Sequence, residues 1–312
     1  MSSSIFKKST GKSFFTVKLA TQSTKNLEKW RAWRKTLTRE LQACSASTIA
    51  AFYGHHYESY SKTLKDMLID KEEDAECWQM GNVAKKHGED KEPLAKQALM
   101  DCIKTPANII LNGETTTVYN IIYSPEQSAL LMATPDMIVD CDGGRVVVEF
   151  KCPYFELYSP SLKKSRSVTK VATDYMFKHR HGRENSFLQA FTYATLENIK
   201  HFYVCYYFTD DITEAMVMYC YEIKNEGDEN VIAMAALEIQ KQLSKEPGDI
   251  NCRTLSSDKK MISNLVKTSF VYSMVAELQD DGMWHSLDEY PSDYSKEKGP
   301  EIPWKPCCLG AT

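Results

Sequence analysis

Two short apolar runs around an Asp-Gly turn constrain the fold of this chain more than any other segment. Residues 137–139 (Met-Ile-Val) and 146–148 (Val-Val-Val) are rich in β-branched side chains, which are typical of buried strands. Residues 142–144 between them are Asp-Gly-Gly. This sequence favours a tight turn, because both central residues of a type I′ turn need positive φ. The sequence therefore predicts a β-hairpin over residues 137–148.

The predicted hairpin brings three charged side chains to one of its faces. If residues 142–143 form the loop, Asp136 faces Glu149; if residues 143–144 form it, Asp136 faces Lys151. The three side chains share a face in both registers, because side chains alternate along a strand with period two. Two carboxylates about 5 Å apart repel each other, and a divalent cation with oxygen ligands removes that repulsion. An exposed hairpin face with a salt bridge is the alternative interpretation.

Composition and charge bound the class of protein. The chain has 312 residues, of which 43% are hydrophobic and 26% charged, as expected of a globular protein. Its net charge of −4 means that nucleic-acid binding would depend on local basic patches. No apolar run approaches about 18 residues and no secretory signal is recognisable, so we expect an intracellular protein outside the membrane, in the nucleus, cytoplasm or an organelle. The ten cysteines are scattered without a Cys-x-x-Cys pair, which favours buried thiols.

The order of predicted elements indicates one α/β (α+β) domain. Residues 1–25 are predicted to be a flexible basic arm, with a transit peptide as the alternative, because five lysines precede the first acidic residue. The single domain, 26–285, comprises a helical part (26–105), a core (106–246) and C-terminal elements (247–285), and an irregular proline-containing tail covers 286–312. Predicted helices cover 26–44, 48–53, 57–69, 74–102 with a break near Gly88, 185–197 and 230–243; predicted strands lie within 108–151, 201–208 and 215–223.

Two of the predicted helices carry further candidate site residues. Glu92 falls on the same helix face as Ala95 and Leu99, and an exposed glutamate in a charged turn is the alternative interpretation. Gln189 and Tyr193 form an i, i+4 pair on a later helix, where simple packing is the alternative.

Together these segments resemble a known family of nucleases, those with the PD-(D/E)xK core. More narrowly, the chain resembles lambda-type exonucleases with the YqaJ viral recombinase domain, a group that includes viral alkaline nucleases. The resemblance rests on Ala46-Ser47 at a helix start, Gly88 with Glu92 as a Gly-x-x-x-Glu helix, Thr134-Pro135-Asp136, Glu149-Phe150-Lys151-Cys152-Pro153, and Gln189-Ala190-Phe191-Thr192-Tyr193.

This resemblance implies both a fold and an activity. The implied fold is restriction-endonuclease-like, with a mixed central β-sheet flanked by helices and an N-terminal helical region. The implied activity is Mg²⁺-dependent exonuclease cleavage of duplex DNA, from 5′ to 3′, in recombination, repair or viral DNA processing. One or two Mg²⁺ ions are implied, with Mn²⁺ as a substitute.

The resemblance also implies roles for individual residues. Asp136 and Glu149 would bind the metal together with the backbone carbonyl of Phe150, and Glu92 would add a ligand through water. These are oxygen ligands, which Mg²⁺ prefers. A separate pair would serve the reaction itself: Lys151 would orient the attacking water, and Gln189 would position that lysine.

Several residues are candidates for contact with DNA. Ser47, with Ser45 beside it, would hold a terminal 5′ phosphate, and both Arg34 and Arg39 are candidates for the family's phosphate-binding arginine. Further candidates near the predicted core are Lys163, Lys164, Arg166, Lys178, Arg180, Arg183 and Tyr193. A solvated charged surface is the alternative interpretation of the basic residues.

Three other functions stay open on sequence grounds. A structure-specific endonuclease could use the same core, and a catalytically silent DNA-binding recombination protein could retain the fold. An iron–sulfur nuclease is disfavoured, because Cys205, Cys220 and Cys252 lack the required spacing. A single-strand annealing protein is a candidate partner, and both ring oligomers and monomers occur in the family.

Overall fold

The computed structural model describes residues 3–5, 14–55, 60, 63–64, 67, 79–102, 107–113, 115–141, 144–154, 167–210, 213–245 and 256–286. The strands are β1 (Ser3–Ile5), β2 (Phe15–Ser23), β3 (Cys44–Ser45), β4 (Ala107–Leu111), β5 (Thr115–Ser124), β6 (Gln127–Ala133), β7 (Met137–Cys141), β8 (Gly144–Lys151), β9 (His201–Thr209), β10 (Glu214–Glu222), β11 (Phe270–Leu278) and β12 (Trp284–Ser286). The helices are α1 (Leu27–Arg39), α2 (Ala46–Phe52), α3 (Gln79–Cys102), α4 (Val168–Lys178), α5 (Glu184–Glu197), α6 (Asn230–Leu243) and α7 (Ser256–Ser269).

These strands form two sheets. The larger has the order β12-β11-β10-β9-β8-β7-β4, and the smaller has the order β1-β2-β5-β6-β3. Strand β8 pairs in parallel with β9 and antiparallel with β7, so the larger sheet is mixed. Helices pack on this sheet, α5 against β8 and β9 and α3 against β8. The predicted fold class, a mixed central sheet flanked by helices, is confirmed.

Alternation along β7 and β8 decides which side chains face which helix. Ile138 and Val147 belong to the core on the α5 side, whereas Met137 and Val148 pack with Ala95 of α3 on the other side. Because side chains alternate, Glu149 and Lys151 lie on the same face as Val147. The catalytic candidates therefore face α5.

Two predicted elements differ from the structure. Residues 14–23 are not a flexible arm, because β2 pairs along its length with β5, and Phe14 and Thr16 are buried. Lys18 lies in the exposed middle of β2, where it forms an ion pair of 3.4 Å with Glu197. Apart from the backbone of residues 3–5, the earlier part of the arm lies outside the described residues. Helix α3 also continues through Gly88 and includes Pro93, so the predicted break is wrong.

Burial explains why α3 is continuous. A glycine in a helix costs about 1 kcal/mol relative to alanine, and burial of Ala95, Ala98 and Leu99 on one helix face offsets that cost. Helix α1 ends at Arg39, earlier than predicted, and α4 was not predicted. Of the predicted helix 57–69, the structure describes residues 60, 63, 64 and 67, which are helical. Most of the predicted tail lies outside the described residues, and the division into domains stays a prediction.

Two predictions drawn from composition have different outcomes. Cys44, Cys205 and Cys220 are buried thiols, whereas Cys141 is disulfide-bonded, contrary to the expectation. In the parts of the chain that the structure describes, no helix combines the length and apolar character needed to span a membrane.

Candidate active site

The β7–β8 hairpin has the first of the two predicted registers. Met137 pairs with Val148 and Asp140 with Arg145. The predicted loop residues 142–143 lie outside the described residues, between the paired ends of the strands. Asp140 and Arg145 also form an ion pair of 3.7 Å at this exposed end. The opposite end of the hairpin carries the acids of the candidate site.

Asp136 is fixed at that end by the neighbouring strand. The backbone N–H of Phe150 donates a hydrogen bond of 2.7 Å to its Oδ2 atom. Burial raises the pKa of Asp136 well above its usual value, and the nearby carboxylates of Glu149 and Glu92 raise it further, against the opposing effect of Lys151. This arrangement favours a cation, because the negative charge of the aspartate is poorly compensated.

Glu149 and Lys151 form an ion pair beside Asp136. Glu149 is 3% exposed, and its Oε1 accepts a hydrogen bond from Lys151 Nζ. Lys151 Nζ also donates to Oε1 of Gln189 on α5 at 2.8 Å. Burial alone would lower the pKa of Lys151, but the carboxylates of Glu149 and Asp136 outweigh that effect and raise it. Lys151 is therefore protonated, and its two hydrogen-bond acceptors fix the orientation of its ammonium group.

The second oxygen of Glu149 suggests what the site binds. Glu149 Oε2 is buried and has no hydrogen-bond partner among the described residues. Within the described ranges no group of three or more His, Cys, Asp or Glu side chains is placed to hold a metal, so the donors are the carboxylates of Asp136 and Glu149. Mg²⁺ is usually held by one or two carboxylates together with water and substrate phosphates. The donor set therefore fits Mg²⁺.

Glu92 lies near this pair but is engaged elsewhere. Its carboxylate forms an ion pair with Lys96 Nζ at 2.6 Å. Glu92 and Asp136 both lie around Gly113, since a Cβ on that glycine would be 3.8 Å from Glu92 Oε1 and 3.3 Å from the Asp136 carbonyl oxygen. Its role as a water-mediated ligand stays a prediction.

Gly113 contacts the backbone beside the same aspartate. Its φ is 69°, and a Cβ there would lie 2.9 Å from Lys96 Nζ and 3.3 Å from the carbonyl oxygen of Asp136. Glycine avoids both the crowding and the strain of positive φ. The sequence contained a signal for this turn in the dipeptide Asn112-Gly113, but no role was predicted for the glycine.

A basic cavity of about 410 Å³ lies between α1 and the start of α2. The predicted phosphate-binding residues that line it are Arg34, Arg39, Ser45 and Ser47. Ser45, rather than Ser47, is the N-cap of α2, and its hydroxyl lies 2.8 Å from that of Ser47. The structure thus brings both candidate arginines and both serines to one cavity. We name it the α1–α2 cavity.

Tyr193 connects the α1–α2 cavity with the acids. It follows Gln189 by one turn of α5. Burial raises the pKa of Tyr193, as do Glu149 and Asp136, whereas Arg34 opposes the shift. Arg34 itself is half-buried, and this burial lowers its pKa. Arg34 on the cavity side and the two acids therefore act electrostatically on the same tyrosine.

A family model supports the interpretation of this site. Residues 29–182 match the model of the YqaJ-like viral recombinase domain. The chain carries a YqaJ-like viral recombinase domain. The predicted resemblance is confirmed, and this YqaJ-like domain includes Asp136, Glu149 and Lys151, whereas Gln189 and Tyr193 lie beyond its end.

Comparisons with individual proteins give weaker likenesses. No curated protein matches the chain. The crystal structure of an alkaline exonuclease, LHK-Exo, from Laribacter hongkongensis is similar at 17% identity, covering 77% of this chain and 97% of that one, with a TM-score of 0.39. The crystal structure of LHK-Exo in complex with dAMP is similar at 15% identity, with the same coverage and a TM-score of 0.38.

The other predicted basic residues lie around the end of α4 or outside the described residues. Lys178 and Arg180 are exposed around the end of α4. Arg183 packs over the ring of Tyr175 at 5.2 Å and donates a hydrogen bond to His179 at 3.3 Å. Lys163, Lys164 and Arg166 lie outside the described residues. Contact of these residues with DNA stays a prediction.

Sequence reasoning missed several residues that line the α1–α2 cavity, and two of them lie next to Arg34. Trp30 and Lys35 line the α1–α2 cavity beside Arg34. Trp30 precedes Arg34 by four residues, and this spacing places both on one face of a helix. The helix period could have identified Trp30 once Arg34 was a candidate, although its apolar character suggested packing alone.

Proposed function

We propose that this protein is a metal-dependent DNA exonuclease that degrades one strand of duplex DNA from its 5′ end. The observation that carries the proposal is the pair of a half-buried Asp136 and a buried Glu149, beside a lysine held by Gln189. One carboxylate oxygen of Glu149 has no hydrogen-bond partner among the described residues. The YqaJ-like domain supports a role in DNA recombination or viral DNA processing.

Asp136 and Glu149 would hold Mg²⁺, or Mn²⁺ in its place, and the remaining ligands would be the Phe150 carbonyl and, through water, Glu92. A bound ion would polarise the scissile phosphate and lower the pKa of the attacking water. The protein's own part is to keep the two carboxylates close together and shielded from solvent. The bond from Phe150 N–H to Asp136 provides part of that preorganisation.

Lys151 supplies positive charge next to the reacting phosphate. Its raised pKa keeps the ammonium protonated at neutral pH. Gln189 and Glu149 accept two of its three N–H groups, so the third is available to orient water or to stabilise negative charge that develops on phosphate. No covalent intermediate with the protein is required.

The α1–α2 cavity accounts for a preference for DNA ends. Arg34, Lys35 and Arg39 bring positive charge to it, and the hydroxyls of Ser45 and Ser47 are donors for phosphate oxygens. A terminal 5′ phosphate held there would place the first phosphodiester toward Asp136. An endonuclease would have no use for such a cavity, which favours exonuclease action.

Digestion of matched DNA substrates tests this proposal. With Mg²⁺ we expect degradation of linear duplex with 5′ phosphates, slower degradation of 5′-hydroxyl ends, and no degradation of closed circles or in chelator. Lys151→Ala should reduce turnover by roughly 10²–10³-fold, by analogy with the loss of one charge-stabilising donor. Asp140→Asn, at the opposite end of the same hairpin, should keep wild-type turnover. Digestion of closed circles, or full turnover in Lys151→Ala, would overturn the proposal.

A further inference from the structure

A path of two hydrogen bonds joins the α1–α2 cavity to the loop that carries Asp136. The indole N–H of Trp30 donates to Oγ1 of Thr116 at 2.8 Å. That hydroxyl is in turn 2.9 Å from Oγ1 of Thr134. Thr134 and Pro135 directly precede Asp136, and proline fixes its own φ. A displacement of Thr134 is therefore passed along a stiff connection to the metal-binding aspartate.

Both ends of this path lie at functional positions. Trp30 lines the cavity, and the guanidinium of Arg34 lies 4.6 Å from the centre of its ring. In the middle, Thr116 is fully buried, so its hydrogen bonds are sheltered from water. Hydrogen bonds in such an environment are strong and costly to break.

The charge of Arg34 also acts on α5, the helix that carries Gln189. It acts on the pKa of Tyr193, which lies one turn from Gln189 on α5, and Gln189 holds Lys151. The face of α1 that carries Trp30 and Arg34 therefore acts on two parts of the site: through hydrogen bonds on the loop before Asp136, and through charge on Tyr193 of α5.

We infer that Trp30 is a positioning residue that couples the occupied α1–α2 cavity to the placement of Asp136. The inference rests on the proposed function. A terminal phosphate bound to Arg34 would hold the guanidinium against the indole ring and keep α1 in the arrangement in which Trp30 bonds Thr116. A 5′-hydroxyl end provides no such interaction, so the aspartate loop would be held less firmly. Because the terminal phosphate binds one arrangement of α1 more tightly than the others, it shifts the equilibrium toward that arrangement.

Variants that cut the path at different bonds test the coupling. Trp30→Phe keeps a ring under Arg34 but removes the N–H, and Thr116→Val removes the central hydroxyl with little change of shape. Controls are Trp33→Phe, on the same helix and packed near Leu37, and Thr117→Val, the neighbouring threonine of β5. The measured quantity is the ratio of kcat on 5′-phosphorylated and 5′-hydroxyl duplexes.

We expect Trp30→Phe and Thr116→Val each to reduce this ratio by about fivefold or more, with little change in KM for phosphorylated ends. The double variant should be no worse than Thr116→Val alone, because both substitutions interrupt the same path. Both controls should keep the wild-type ratio.

Two results separate the inference from the function on which it rests. The first case is a wild-type protein that prefers phosphorylated ends. If Trp30→Phe then slows both substrates equally, or Trp33→Phe loses the preference to the same extent, the coupling is overturned and the proposed function stands. If wild-type protein shows no preference or no digestion, the proposed role of the cavity is overturned and the coupling with it.

Discussion

Glu149 uses only one of its two carboxylate oxygens within the described structure. Its Oε1 accepts from Lys151, and its buried Oε2 has no donor. A buried polar atom without a partner costs about 1–3 kcal/mol. A protein that keeps such an atom next to a second carboxylate is expected to recover this free energy when a cation binds.

Metal binding should therefore be measurable without any substrate. At a Mg²⁺ concentration about ten times Kd, wild-type protein should gain about 1–2 kcal/mol of stability, seen as a rise in Tm of roughly 2–5 °C. Glu149→Gln should abolish this rise, because an amide is a poor ligand for Mg²⁺. Asp140→Asn, on the same hairpin but at its exposed end, should retain it. An unchanged rise in Glu149→Gln would contradict the assigned donor.

The lowered pKa of a single histidine, His179, predicts that stability depends on pH. Burial lowers its pKa to about 4, with Arg183 and Lys178 adding to the shift. The unfolded chain, with a histidine pKa of about 6.5, therefore binds more protons than the native protein between these values. The contribution of His179 to the free energy of unfolding is fully present above about pH 6.5 and is lost as the pH falls toward about 4. The loss should be about 1 kcal/mol, because solvent screens this half-exposed ring.

Urea unfolding at about pH 7.5 and about pH 4.5 measures this loss. His179→Gln keeps an acceptor for Arg183 but cannot become charged, so it should lose less stability than wild type over the same interval. Equal losses in the two proteins would show that His179 does not contribute.

At the scale of elements, the β7–β8 hairpin was predicted correctly, whereas elements that depend on distant partners were not. The hairpin depends on neighbouring residues, so its pattern and Asp-Gly turn predicted its register. Strand β2 has its partner β5 about a hundred residues away, and a segment with several lysines resembles a basic arm when the partner strand is unknown. The continuity of α3 through Gly88 likewise depends on a sheet formed by later residues.

The strand character of β2 predicts contrasting effects at adjacent positions. Phe14 is 4% exposed and packs in the core, whereas Phe15 is 41% exposed. Phe14→Ala should therefore reduce the free energy of unfolding by about 3–5 kcal/mol, and Phe15→Ala by about 0.5 kcal/mol. Chemical denaturation of both variants decides between a strand and an arm, since in an arm neither change would affect stability.

The turn after β4 offers another matched comparison. Gly113 and Gly282 have similar positive φ, 69° and 73°, but a Cβ would contact Lys96 and the Asp136 carbonyl at the first and nothing within 4 Å at the second. Alanine should cost about 1 kcal/mol at both from backbone strain. Only Gly113→Ala should also lower turnover, because only there does the methyl group displace the aspartate loop.

Turnover and denaturant midpoints of the two alanine variants measure these effects. The result that contradicts this reasoning is an equal loss of turnover in both. Such a result would mean that strain in any turn, rather than contact with Asp136, affects the reaction.

At the scale of the whole molecule, the site is assembled from segments far apart in sequence. Motif spacing predicted Asp136, Glu149, Lys151 and Gln189, because family patterns preserve them in order. The path from Trp30 through Thr116 to Thr134 could not be predicted, since it needs α1, β5 and the loop before β7 to meet. Sequence periodicity describes one element at a time and contains no information about such meetings.

The charge of the whole molecule makes a final prediction possible. Because the net charge is −4, overall attraction to DNA is absent and binding must depend on local cations. In chelator, where DNA stays intact, the variant Lys35→Gln with Arg39→Gln should reduce the slope of log K against log salt by about 1.8, or 0.9 for each lost phosphate contact. The control, Arg145→Gln with Lys200→Gln, has the same net charge but changes the starting ends of β8 and β9, away from Lys151 at the other end. It should leave the slope unchanged. Equal slopes in the two variants would mean that the molecule responds to total charge and that the α1–α2 cavity does not contact the DNA backbone.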